Sequence, residues 1–136
     1  MRFFYLLYCN LVYGFHISRT ITRYVSMNSM EKFQKSWYVV GESENMKQNV
    51  PKKITVWSKD YVLWKNLDKY YALEDVCKHR GVALSSGKVE KNEIICPYHG
   101  YKYDSNGNLT HVPGIKFKSC KKYNIAKFMV VEKNGW

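Results

Sequence analysis

Four residues in two short pairs carry the chemistry this sequence offers: Cys77-Lys78-His79 and, after residues 80–95, Cys96-Pro97-Tyr98-His99. Each pair joins a thiol to an imidazole, and both groups bind metals once deprotonated. Spacings this short let both side chains of a pair project from a single loop, with Gly81, Gly87, Pro97 and Gly100 supplying the bends. Two such loops can pinch one metal centre between them.

The ligand types restrict what that centre is. Structural zinc favours cysteine paired with cysteine and histidine paired with histidine, whereas here each pair mixes the two. A plain [2Fe–2S] ferredoxin needs four thiolates. Replacing two of them on one iron with neutral imidazoles raises the potential and calls for two Cys and two His, the number these pairs supply. The expected cofactor is therefore a [2Fe–2S] cluster, with Cys77 and Cys96 on one iron and His79 and His99 on the other. The expected chemistry is one-electron transfer through the histidine-bound iron, with no bond-making catalytic residue assigned. A structural zinc module serving protein interaction is the competing reading from another class, and its lack of colour would reveal it.

The other cysteines, Cys9 and Cys120, have no such neighbours and read as unpaired thiols rather than a bridge. Free thiols beside an iron–sulfur site imply a reducing compartment, cytoplasmic or organellar, without specifying which.

The elements that position these loops follow from the remaining pattern. At 136 residues the chain accommodates one compact domain. Its 46% hydrophobic and 16% aromatic content, with twelve tyrosines, suits a folded β-rich unit. Trp37-Tyr38-Val39-Val40 reads as a first strand after a helical turn over Glu31–Ser36. Ile54–Trp57 and Tyr61–Trp64 form a hairpin about Ser58-Lys59-Asp60, and Lys69–Leu73 extends it to a three-strand meander before Cys77. Tyr101–Tyr103 and Leu109-Thr110 flank Asn106-Gly107, a pair suited to a type I′ turn. Ala126–Val131 supplies a last strand. The fold expected is all-β. No repeat or linker divides residues 31–136, which are read as the domain.

Residues 1–30 differ in composition, with three arginines, no Asp or Glu, and an apolar stretch from Phe3 to Phe15 interrupted by Asn10. That stretch is shorter than a membrane-spanning helix requires, so no integral span is expected. The segment reads as an extension or targeting peptide, and Met27 or Met30 would start a chain without it. The net charge of +11 is spread as single or paired lysines with no nucleic-acid-binding motif, so nucleic acid is not an expected partner. Diffuse positive charge favours acidic redox partners instead, and Lys78 and Lys102 adjoin the ligand loops.

With its setting, Cys77-x-His-Arg-Gly-Val-Ala-Leu-Ser-Ser-Gly-Lys-Val followed by Cys96-Pro-Tyr-His-Gly-Tyr-Lys-Tyr-Asp and Gly107, the chain resembles the N-terminal Rieske domain of ring-hydroxylating and related Rieske oxygenases, from about Trp37 to Trp136. The resemblance implies a small antiparallel β-sandwich with two cluster-binding loops. It places Cys77, His79, Cys96 and His99 at the ligand positions, while Arg80 and Gly81 match the oxygenase signature. Tyr101 stands where many members have Trp. Val82 and Tyr98 occupy positions where high-potential respiratory Rieske proteins carry an extra cysteine pair, and no Ser follows Gly100. A potential in the lower Rieske range is therefore expected.

Oxygenases of this type add a catalytic domain in which two His and a carboxylate hold a mononuclear iron. Here His16 lies in the extension and His111 alone is spare, so residues 31–136 are not expected to perform oxygen chemistry by themselves. The resemblance implies a flavin or ferredoxin-type reductase as electron donor and a mononuclear-iron oxygenase domain or subunit as acceptor. The family usually continues past the Gly-Trp pair at the end of this sequence, so truncation or separate encoding of the catalytic part is expected. A self-sufficient Rieske ferredoxin is the alternative.

Overall fold

The computed structural model describes residues 3–7, 36–116 and 120–133. The extension between residues 8 and 30, including Cys9 and His16, lies outside the described residues, as does most of the helical turn expected over 31–36.

Ten strands account for nearly half of the described residues: β1 Phe3–Leu7, β2 Tyr38–Glu42, β3 Lys52–Val56, β4 Lys59–Asn66, β5 Lys69–Glu74, β6 Lys88–Glu90, β7 Glu93–Ile95, β8 Lys102–Tyr103, β9 Leu109–His111 and β10 Lys127–Lys133. They form a six-stranded sheet in the order β2-β1-β10-β5-β4-β3 and a four-stranded sheet in the order β6-β7-β8-β9. Every strand pair is antiparallel. The remaining regular elements are three short 3-10 turns, so the all-β antiparallel fold expected from the sequence is the fold observed.

Strand β4 shows why the core sits where it does. Tyr61, Val62, Leu63 and Trp64 are all buried. Successive side chains of a strand point to opposite faces. Val62 and Trp64 join one apolar cluster with Leu73, Leu84, Ile94, Tyr103, Leu109 and both loop cysteines. Tyr61 and Leu63 join another with Met46, Ala72 and Phe128. The continuous apolar run is thus a strand covered on both faces. The first cluster fills the space under the ligand loops.

The meander β3-β4-β5 forms as expected, with a shorter first turn. Val56 pairs with Lys59, leaving a two-residue loop in which Trp57 and Ser58 both have positive φ (51° and 59°). The hairpin at Asn106-Gly107 also forms, with a different turn from the type I′ expected. Gly107 alone takes positive φ (79°) within the loop. Asp104 Oδ1 accepts the backbone N–H groups of Asn106 and Asn108 at 2.8 Å each, and Gly107 N–H donates to Asp104 O at 2.9 Å. The Asp104 carboxylate thus favours an ordinary turn followed by a glycine bulge. Positive φ at both loop residues, as a type I′ turn requires, appears instead at Trp57-Ser58 and at Lys91-Asn92 (φ 48° and 64°), between β6 and β7.

Candidate metal centre

Both ligand loops leave the end of a strand over the first apolar cluster. The first follows β5 and the second joins β7 to β8. Their backbones repeat one pattern. Cys77 O accepts the N–H of Gly81 at 2.8 Å, and Cys96 O accepts that of Gly100 at 3.1 Å. Cys77 N–H donates to Val82 O and Cys96 N–H to Tyr101 O, both at 2.8 Å. The closing glycines have φ of 71° and 70°, a conformation that costs other L-residues about 1–2 kcal/mol. The frame is the same although one loop has one residue between Cys and His and the other has two.

The side chains separate by type. Cys77 and Cys96 are buried, at 1% and 3% exposure, and their thiols interact. His79 is half-buried and His99 exposed, and their Nδ1 atoms lie 3.1 Å apart. The sequence-predicted residues are thus brought together as a sulfur pair below and an imidazole pair above. Among the described residues no three His, Cys, Asp or Glu side chains gather round one ion position. The spare His111 stands exposed on β9, paired with Lys102.

Tyrosines hold the imidazoles. The Tyr101 ring stacks on His79 with centroids 4.5 Å apart and planes 11° from parallel, and Tyr98 lies 3.8 Å from the His99 ring. Partial burial, then the neighbouring His99 and Arg80, hold the His79 imidazole below its ordinary pKa. That favours the neutral form, the one that binds metal. Burial, reinforced by Cys77, raises the Cys96 thiol, while the backbone N–H groups of Tyr98 and His99 act in the opposite direction.

Two supporting residues escaped the sequence reading. Tyr103 is fully buried, and its hydroxyl lies 3.4 Å from Cys77 Sγ. Burial and then the Cys77 neighbour push the phenol well above its usual pKa, so it stays protonated and serves as a donor towards a thiolate. Asp75, also buried, accepts from Ser85 N–H at 2.7 Å and Ser85 Oγ at 2.6 Å, spanning the first loop. The alternation in Tyr101-Lys102-Tyr103 was the available signal for the first, since it sets both tyrosines on one face, opposite Lys102 and against the same apolar cluster; nothing local marked the second. Lys78 Nζ is engaged with Glu74 at 2.8 Å, so it is less available to steer a partner than its position in sequence suggests. Cys120 is a free, half-exposed thiol. Among the described residues no helix is long and apolar enough to cross a membrane.

Comparison with known proteins agrees with this geometry. The family model described as Rieske [2Fe-2S] domain matches residues 36–124. The chloroplastic pheophorbide a oxygenase of Arabidopsis thaliana is 35% identical over 85 residues, covering 60% of this chain and 16% of that protein. The 4beta-methylsterol monooxygenase of Methylococcus capsulatus is 36% identical over 77 residues, covering 56% of this chain and 21% of that protein. The crystal structure of dicamba monooxygenase bound to dicamba superposes with a TM-score of 0.66 at 31% identity, covering 71% of this chain and 30% of that one. This chain therefore spans less than a third of the length of these relatives. Two loops of one backbone pattern, paired thiols beneath paired imidazoles, and a matching family over most of the described residues lead to one assignment: the chain belongs to the Rieske [2Fe–2S] domain family, and its cofactor is a [2Fe–2S] cluster.

Proposed function

We propose that Cys77, His79, Cys96 and His99 hold the cluster, and that residues 31–136 relay single electrons from a flavin or ferredoxin-type reductase to a mononuclear-iron oxygenase site provided by polypeptide outside the described residues. The observation that carries this reading is the 3.1 Å separation of the two imidazole Nδ1 atoms. Two nitrogens on one tetrahedral first-row ion, with bonds of about 2.1 Å, stand about 3.4 Å apart, so the pair is already close to one edge of such a site. The two buried thiols supply the donors for a second ion. When bound, the cluster supplies a one-electron couple whose potential lies above that of four-thiolate ferredoxins.

The protein's own groups then divide the work. The apolar cluster beneath keeps water from the sulfur side. The Tyr103 hydroxyl donates towards Cys77 Sγ, stabilising added negative charge. The Tyr98 and His99 N–H groups do the same at Cys96. With Nδ1 turned inward, each ring's Nε2 edge is left for a partner's carboxylate, and His99 is the more exposed of the two. An electron leaving by that edge avoids the buried sulfur side. The oxygenase names of the relatives support the choice of acceptor over a free-standing ferredoxin.

Low-temperature EPR of the anaerobically purified, dithionite-reduced chain tests the ligation. A rhombic signal averaging below the free-electron g value is expected. A colourless, silent sample with one zinc per chain would replace the redox reading with a structural one. Co-purification with a mononuclear-iron protein, or reduction by a ferredoxin reductase, tests the partners.

A further inference from the structure

The two ligand loops share a backbone frame but are closed in different ways. The second lies inside a ladder, with Ile95 paired to Lys102 and Ile94 to Tyr103 on either side of it. The first has no such ladder: β5 ends at Glu74, and after Val82 the chain enters the 3-10 turn Leu84–Ser86. Asp75 takes the ladder's place. Its two carboxylate oxygens accept the N–H and Oγ–H of Ser85, and its own N–H donates to Asp60 O at 3.0 Å, tying the clamp to β4.

A serine clamp alone does not require a full negative charge at that position. Asp75 is 6% exposed, and among the described residues no lysine or arginine forms an ion pair with it, although Lys53, paired with Asp60, feels its charge. Burying a carboxylate whose direct side-chain partners are neutral donors is costly. Two residues span at most about 7 Å of backbone, and the carboxylate closes the loop that carries Cys77, which puts the charge on that side of the centre. A fixed negative charge there opposes the arrival of an electron.

Building on the ligation proposed above, we infer that Asp75 is a positioning residue with two roles: it closes the first ligand loop, and its buried charge holds down the reduction potential of the cluster. The potential is then set by opposing groups on the Cys77 side of the centre, the Tyr103 hydroxyl reaching across from β8 to raise it and the Asp75 carboxylate lowering it.

The test is the midpoint potential of the full chain and two variants by protein-film voltammetry, with visible absorption reporting cluster content. Asp75→Asn removes the charge, and its potential is expected to rise. Ser85→Ala keeps the charge but strips the hydroxyl that partly neutralises it, and its potential is expected to fall. A merely structural clamp would move both variants in the same direction, and that result, or no shift in Asp75→Asn, overturns the inference. Should Asp75→Asn retain no cluster, Ser85→Ala decides alone: a fall supports the inference and a rise or no change ends it. A wild-type chain without the rhombic EPR signal is a different failure, that of the ligation itself.

Discussion

Tyr103→Phe isolates one hydroxyl in the centre. The ring is fully buried, and phenylalanine preserves its packing, so the change removes one donor 3.4 Å from Cys77 Sγ and one acceptor facing the Lys78 backbone N–H. A hydrogen bond to a charged group is worth about 1.5–3 kcal/mol. Only the part that strengthens when the cluster gains an electron affects the potential, and taking a third to a half gives roughly 0.5–1.5 kcal/mol. For a one-electron couple a tenfold change in equilibrium is about 59 mV, so the midpoint should fall by roughly 20–65 mV. Because burial and Cys77 hold the phenol's pKa above its usual value, it remains a donor through neutral pH. The shift should therefore be the same at pH 6 and pH 8. Protein-film voltammetry at both pH values measures it. An unchanged or raised midpoint, with cluster absorption intact, would refute the claim that this hydroxyl stabilises the reduced centre.

Replacing His79 or His99 with Cys should retain an iron–sulfur cluster while lowering the midpoint by on the order of 200 mV, towards the four-thiolate range, and an unmoved midpoint would argue against imidazole ligation. Gly81→Ala should cost about 1–2 kcal/mol in urea titrations, from positive φ alone, because an added Cβ has nothing within 4 Å. Gly107→Ala should cost about 2–5 kcal/mol, since its Cβ would stand 2.1 Å from Ile125 O; equal costs would contradict the packing. Deleting residues 1–29 removes β1 from between β2 and β10, yet the ligand loops hang from β5, β7 and β8, so the shortened chain should melt at a lower temperature and still carry its cluster. Loss of cluster absorption would show that the extension supports the site.

Where the determining interactions are local, the sequence was legible. The Cys-His pairs could be read because each pair sits on one loop and ligand chemistry admits few alternatives. The β3-β4-β5 meander could be read because Tyr61–Trp64 at the centre of β4 form an unbroken apolar run. The β6–β7 hairpin was harder, since its turn is Lys91-Asn92 and carries no glycine, although both residues adopt positive φ. Asn106-Gly107 gave a correct hairpin and the wrong turn, because the Asp104 carboxylate two residues earlier captures the backbone N–H groups that decide the geometry. Tyr103 and Asp75 were not legible as parts of the site. Tyr103 reaches Cys77 across 26 residues and Asp75 reaches Ser85 across ten, contacts that exist only once the loops have closed.

The two ligand loops are rooted in different sheets, the first at the end of β5 in the six-stranded sheet and the second between β7 and β8 in the four-stranded one. With the proposed ligands, the cluster is a cross-link between those sheets, and its binding energy becomes folding energy. Chain that has not received iron keeps the hydrogen bonds of each loop and loses the bolt between the layers. The population open to proteases then depends on iron supply, so the amount of this protein in a cell should track iron availability even at constant synthesis.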